Sequence, residues 1–65
     1  MVDHLEDPDY RAGFSTAYDT SFRVSADSEK PFMWRVGWND CDIALSMQPG
    51  EATNIRQLIW NKYGE

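Results

Sequence analysis

Residues 31–47 read PFMWRVGWNDCDIALSM, and the secondary structure of this stretch decides the fold of the chain. Read with the period of an α-helix, its apolar residues fall on two nearly opposite stripes. One stripe holds Trp34, Trp38, Cys41 and Leu45, and the other holds Phe32, Val36, Ile43 and Met47. Read with a period of two, the stretch alternates from residue 32 to residue 38, and residues 22–24 could supply a partner strand. Periodicity alone leaves a helix and a β-hairpin open.

The segment before this stretch carries the signals of a helix start. Asp7 is suited to the N-cap, Pro8 to the first helical position, and Asp9 to the first turn, where the helix dipole favours a negative charge. The following apolar residues recur at helical spacing and predict one buried stripe: Tyr10, Phe14, Ala17 and Tyr18. We therefore expect a helix over residues 8–20. After a polar connection, Pro31 is expected in the first turn of the next helix, capped near Ser28.

The last segment begins after Pro49 and Gly50 and predicts a third helix that ends at a Gly64 C-cap. Its apolar residues at helical spacing are Ala52, Ile55, Leu58 and Ile59. This helix needs a surface on which to bury Ile55 and Ile59, so it is expected to cover the stripe that begins at Phe32. The alternative is that this stripe is exposed and forms an interface. Trp60 and Tyr63 fall outside its main stripe and are predicted to be exposed contact residues.

Two glycines each lie within one helical turn of a large aromatic residue. They are Gly13, which follows Tyr10, and Gly37, which lies between Trp34 and Trp38. A missing Cβ lets two helices approach closely, at a propensity cost of ~1 kcal/mol per glycine in a helix interior. Trp34 and Trp38 are expected to fill the core rather than to stack on bases, because few basic residues surround them.

The elements Tyr10-Arg-Ala-Gly13 and Trp34-Arg-Val-Gly37-Trp38-Asn-Asp-Cys41 resemble the Y-x-A-G and W-x-x-G-W-x-x-A elements of the ribosome modulation factor family. The resemblance covers about half of the chain, and it implies two helices joined by an irregular linker and a factor that binds ribosomes. The founding proteins are strongly basic ahead of the tyrosine element, whereas this chain is acidic there. The linker also lacks the expected C/N-Pro-Tyr element. The resemblance therefore supports a fold more than a function.

From these patterns we predict an all-α fold, a compact three-helix domain that comprises residues 1–65. The alternative is an α+β arrangement with a short β-hairpin between helices, in residues 21–38. A chain of 65 residues has room for one core, and its 42% apolar content suffices to close that core without metal or disulfide.

The net charge of −5 lies in the first half of the chain. Residues 1–29 hold seven acids against Arg11 and Arg23, whereas residues 30–65 are balanced. Such a field repels nucleic acid and attracts basic protein surfaces, although it can also serve solubility alone. The predicted partner-binding residues are Asp3, Glu6, Asp7, Asp9, Asp19, Asp27, Glu29, Trp60 and Tyr63.

The chain offers little chemistry for catalysis or metal binding. His4 lies near the start of the chain, Cys41 lies on an apolar stripe, and neither zinc-ligand nor calcium-loop spacing is present. Asp40 and Asp42 are expected to be surface charges that point apart on a helix. We therefore expect no enzyme activity, no cofactor and no metal. The single cysteine and the lack of a long apolar run favour a cytoplasmic protein without a membrane span.

These observations predict a binding protein that inhibits a basic nucleic-acid-binding protein or complex by occupying the place of phosphates. Small acidic chains of this kind resemble phage-encoded inhibitors of host defence, such as anti-CRISPR proteins. The alternative is a ribosome-associated modulator that uses its basic residues with the tryptophans; these are Arg11, Arg23, Lys30 and Arg35. The apolar stripe that begins at Phe32 leaves a monomer and a homodimer open.

Overall fold

A computed structural model describes residues 4–20 and 29–65. Its three α-helices are α1 (Pro8–Thr20), α2 (Phe32–Met47) and α3 (Pro49–Leu58). A 3₁₀ turn precedes α1, and a π-helical segment, Ile59–Tyr63, continues α3. The described part of the chain contains no strand, which confirms the all-α three-helix prediction. The hairpin alternative is wrong for residues 32–38, which are helical, and its partner strand at residues 22–24 lies outside the described residues.

The helix boundaries follow the local signals of the sequence closely. Asp7 caps α1 as predicted, because its Oδ1 accepts a hydrogen bond of 2.8 Å from the backbone N–H of Asp9. Pro31 is the N-cap residue of α2, so it precedes the first turn instead of occupying it. The cap expected near Ser28 lies outside the described residues.

The third helix begins one residue after α2 ends. Gln48 separates the two helices, and Pro49 occupies the first position of α3. The helix therefore begins at Pro49 and not after Gly50 as predicted, because proline is well suited to the first helical position. Gly64 ends the π-helical segment with a φ of 72°, and its N–H donates to the carbonyl oxygen of Trp60 at 3.0 Å. Glycine adopts this left-handed conformation without a Cβ penalty, so the predicted C-cap is confirmed.

Helices α1 and α2 touch through their backbones at two glycines. A Cβ built on Gly13 would overlap the carbonyl oxygen of Trp34 and lie 2.7 Å from its carbonyl carbon. A Cβ on Gly37 would overlap the carbonyl oxygen of Tyr10 and lie 3.0 Å from its carbonyl carbon. Residue 10 thus lies opposite residue 37, and residue 13 lies opposite residue 34, so the two helices run antiparallel.

The core lies between this helix pair and α3. It contains both large and small side chains, and the buried apolar residues are Tyr10, Phe14, Ala17, Trp34, Trp38, Cys41, Ala52 and Ile59. Trp34 and Trp38 pack inside, as predicted. Two polar contacts join α1 to α3, from Tyr18 Oη to Thr53 Oγ1 at 3.0 Å and from Arg56 to Asp19 at 3.4 Å. These contacts place α3 on the side of the helix pair where Trp34 and Trp38 are buried, which is called the inner side below.

The prediction that the third helix covers the second apolar stripe of α2 is wrong. Phe32, Ile43 and Met47 are 68%, 51% and 75% exposed, and Val36 is half-buried. The single connecting residue Gln48 turns α3 back toward α1, where Ala52 and Ile59 join the inner core. The helix therefore buries its apolar residues on the stripe of the tryptophans and leaves the other stripe exposed.

We expect Gly13→Ala and Gly37→Ala each to lower the free energy of unfolding by about 2–3 kcal/mol, because the new methyl group meets rigid backbone. This clash outweighs the gain of ~1 kcal/mol in helix propensity. Urea denaturation followed by circular dichroism measures the change. The control is Gly50→Ala, where a Cβ meets nothing within 4 Å. That variant should be neutral or more stable, and equal behaviour of all three variants would contradict the close helix contact.

Candidate functional site

The start of α1 carries three of the predicted acidic residues close together. Glu6 ends the 3₁₀ turn, Asp7 caps the helix, and Asp9 lies in its first turn. Glu6 and Asp9 are exposed, whereas Asp7 is half-buried. These three residues, named here the acidic end, place their carboxylates at the positive pole of the helix dipole, which stabilises them there.

A fourth carboxylate, that of Asp40 in α2, binds Tyr10, the residue that follows the acidic end in α1. The hydroxyl of Tyr10 donates a hydrogen bond of 2.7 Å to Asp40 Oδ2, and the ring of His4 lies 5.2 Å from the ring of Tyr10. Burial raises the pKa of Tyr10, and the hydrogen bond to Asp40 raises it further, so the hydroxyl stays protonated and donates. Asp40, which we expected to be a surface charge, is half-buried and is held in place by this hydrogen bond. The sequence does contain a clue to this contact. If Gly13 and Gly37 mark the close approach of the two helices, residue 40 lies beside the start of α1.

The remaining predicted acidic residues lie elsewhere. Asp19 is ten positions from Asp9, about 15 Å along the axis of α1, and forms the ion pair with Arg56. Glu29 is exposed ahead of α2. Asp3 and Asp27 lie outside the described residues. The structure therefore brings together only part of the predicted set, namely the acidic end.

The two predicted aromatic contact residues differ in exposure. Trp60 is 65% exposed, as expected, and the guanidinium of Arg56 lies 5.5 Å from its ring centroid. Tyr63 is half-buried, which contradicts the prediction that it is exposed. The reason is Arg11, whose guanidinium lies 3.9 Å from the centroid of the Tyr63 ring and covers it.

Arg11 is buried and joins three parts of the chain. Only 8% of the residue is exposed. Its Nη1 donates to the carbonyl oxygen of Leu5 at 2.7 Å, and its Nε and Nη2 donate to the carboxylate of Glu65 at 2.9 and 3.3 Å. This bidentate arrangement is stronger than a single hydrogen bond between an arginine and a carboxylate. Arg11 is thus engaged inside the protein and does not offer its charge to RNA.

Cys41 does not have the environment of a reactive thiol. Its side chain is fully buried. Burial raises the pKa of the thiol to about 12, and the charges of Asp42 and Asp19 contribute in the same direction. Because the thiolate is the nucleophilic form, this cysteine is inert at neutral pH.

Neither a metal site nor a membrane span is found among the described residues. No group of three or more His, Cys, Asp and Glu side chains in residues 4–20 and 29–65 is arranged to hold a metal ion. Among the helices of the same residues, none has the length and apolar character of a membrane span.

Comparisons with models of protein families, with curated proteins and with solved structures give no match. The resemblance to the ribosome modulation factor family therefore stays a prediction that depends on the Y-x-A-G and W-x-x-G-W elements alone.

The pair of Arg11 and Glu65 predicts a pH dependence of stability. The hydrogen bond from Arg11 holds the pKa of Glu65 below its ordinary value of 4.5. Stability from this pair is therefore fully present above pH 4.5 and is lost as the pH falls through the lower pKa of the folded state. Urea denaturation between about pH 2.5 and 6 should show a smaller acid-induced loss in Glu65→Gln than in the unchanged protein. Glu51→Gln, which removes an exposed carboxylate on α3, serves as the control, and identical curves for all three proteins would contradict the prediction.

The burial of Cys41 predicts that its thiol reacts only after unfolding. At pH 8 we expect the labelling rate with a disulfide reagent to be at least ~100-fold lower in the native protein than in 6 M guanidinium chloride, because the thiolate is scarce and inaccessible. The absorbance of the released thiolate measures the rate. Comparable rates in the two conditions would show that the cysteine is accessible in the folded protein.

Proposed function

We propose that the protein is a non-enzymatic acidic binding protein, and that it inhibits a nucleic-acid-handling complex by occupying a basic surface of that complex. The carboxylates of the acidic end stand in for phosphates. By analogy with small acidic anti-CRISPR proteins, the setting would be a phage or a mobile element, and the place of action the cytoplasm. The proposal covers stoichiometric binding and no chemical reaction.

The main support for this proposal is that the fold pairs two of its arginines internally and leaves most of its carboxylates facing solvent. Two arginines, Arg11 and Arg56, have side chains only 10% and 12% exposed, and each is paired with a carboxylate. Outside these two pairs, the described residues hold seven carboxylates and three cations. The solvent-facing charge is therefore strongly negative, and it includes Glu6 and Asp9 at the exposed start of α1.

The physical effect of such a surface is on encounter and selectivity. A field of one sign raises the rate at which an oppositely charged partner is met, and like-charged partners are excluded. A carboxylate that is already held in place loses little freedom on binding, and Asp7, as the N-cap, and Asp40, through Tyr10, both meet this condition. A basic groove built for nucleic acid is the partner surface that matches this charge.

The ribosome-associated alternative has less support. Binding to ribosomal RNA needs accessible cations and stacking surfaces. Arg11 is buried in its pair with Glu65, and Trp34 and Trp38 lie in the core, which leaves Trp60 as the exposed tryptophan. Lys30 and Arg35 are exposed, and Arg23 lies outside the described residues. The inhibitor proposal therefore agrees better with the accessible side chains.

A pair of double variants with equal net charge tests the proposal. We expect the inhibitor to displace labelled DNA from its target in mobility-shift assays on a panel of purified basic complexes, RNA-guided DNA-binding complexes among them. Glu6→Gln with Asp9→Asn should raise the half-inhibitory concentration by about 10-fold, since two charges at the interface are lost. The control is Asp42→Asn with Glu51→Gln, which also removes two negative charges but at other places on the surface. Like Asp9 in α1, Glu51 lies in the first turn of a helix, here α3, so the control also includes the loss of a helix-dipole contact. Its effect should be under ~3-fold.

Two results would contradict the proposal. Equal losses in both double variants would mean that net charge alone matters, as for a solubility device. Association with purified ribosomes that weakens as salt increases, without displacement of DNA from any complex in the panel, would favour the ribosome-associated alternative.

A further inference from the structure

The outer surface of α2 carries an apolar stripe that is mostly exposed. Phe32, Ile43 and Met47 are exposed, and Val36 between them is half-buried. At about 100° per residue they lie within a sector of ~60°, and they extend over ~22 Å of the helix axis. In the described part of the chain no helix packs on this surface, as α3 lies on the inner side. Contiguous exposed apolar surface rimmed by polar groups is typical of an interaction site.

The half of this stripe that lies toward the end of α2 is a groove. It has a volume of about 340 Å³ and is lined by Asp40, Ile43, Ala44, Met47 and Gln48. Three of its lining residues are apolar, and two, Asp40 and Gln48, are polar. This combination suits an apolar side chain that enters the groove beside a group that hydrogen-bonds at the edge.

Asp40 gives the groove its charge and a defined geometry. Its Oδ2 accepts the hydrogen bond from Tyr10, which is buried in the core. An ionised carboxylate has about four acceptor positions, so Tyr10 orients the group and leaves acceptor capacity for a further donor. The groove thus offers an oriented carboxylate next to the apolar side chains of Ile43 and Met47.

A second copy of the chain does not match this surface. The stripe is symmetric about a point between Asn39 and Asp40, so a two-fold pairing of two such helices would bring both Asp40 carboxylates close to the axis. Two like charges near each other in an apolar interface are unfavourable, and each chain carries a net charge of −5. The matching occupant is apolar and cationic.

We propose that the groove on α2 binds an amphipathic helix of the basic partner, with an apolar side chain between Ile43 and Met47 and a lysine or arginine on Asp40. An amphipathic helix presents its anchors at positions i, i+3 or i+4 and i+7, and Ile43 and Met47 in the groove are likewise four positions apart. This inference rests on the proposed function, because it takes the partner to be a basic protein. It adds a second contact surface to the acidic end.

A defined peptide tests the inference without knowledge of the partner. The probe is a fluorescent 18-residue helical peptide with leucine on one face and lysine on the other, and its matched control has glutamate in place of lysine. We expect the lysine peptide to bind by fluorescence anisotropy and the glutamate peptide to bind at least ~10-fold more weakly.

Single variants then locate the contact. Asp40→Asn retains an acceptor for Tyr10 and removes the charge, and Ile43→Ser removes an apolar wall. Each should weaken binding of the lysine peptide by about 10-fold. Two matched controls should change it by less than ~3-fold. Asp42→Asn removes one charge on the same helix, and Leu58→Ser removes an apolar side chain on α3 that is 44% exposed. Thermal unfolding confirms that each variant is folded.

The possible results separate this inference from the proposed function. If Glu6→Gln with Asp9→Asn weakens the displacement of DNA from the target while Asp40→Asn and Ile43→Ser leave the binding of the lysine peptide unchanged, the groove inference is overturned and the acidic end stands. If the first pair leaves DNA displacement unchanged and the other two variants leave peptide binding unchanged, both proposals fail. If sedimentation at micromolar concentration shows a dimer that Ile43→Ser dissociates, the stripe pairs with a second copy and the inference is overturned.

Discussion

The direct contact between the backbones of α1 and α2 is the constraint on which the rest of this structure depends. Gly13 lies against the carbonyl of Trp34, and Gly37 lies against the carbonyl of Tyr10. No side chain separates the helices at these two points, so the contacts determine their distance, their antiparallel direction and their register together. Close packing leaves rigid neighbours no room to move, which is why a single methyl group matters there.

This register decides which surfaces the fold can use. It turns the tryptophan stripe of α2 inward, where α3 covers it with Ala52 and Ile59. It also places Asp40 within reach of the Tyr10 hydroxyl, so that a carboxylate from the middle of the chain adjoins the acidic residues at its start. The opposite stripe of α2 then faces outward by geometry, since one short helix cannot cover both sides of the pair.

Charge is distributed by the same packing. The buried Arg11 connects the first turn of the described chain with Glu65, and Arg56 is held by Asp19. Cations that count fully in the net charge are thereby used for internal contacts, while Glu6 and Asp9 stay in solvent. A small domain with this arrangement meets a partner through negative charge and exposed apolar surface, which is the basis for both the inhibitor proposal and the groove on α2.

Local signals in the sequence determined the helices, because caps, proline positions and the C-cap glycine act within a few residues; Asp7, Pro49 and Gly64 behave as their types predict. The sequence also determined that the acidic residues are concentrated near its start. Only the tertiary structure decided that Arg11 is buried, that Tyr63 lies beneath it, that Asp40 is held by Tyr10, and that the stripe from Phe32 to Met47 stays exposed. Each of these depends on contacts between residues far apart in the chain, and periodicity shows that a helix has two apolar faces but not which face its neighbours cover.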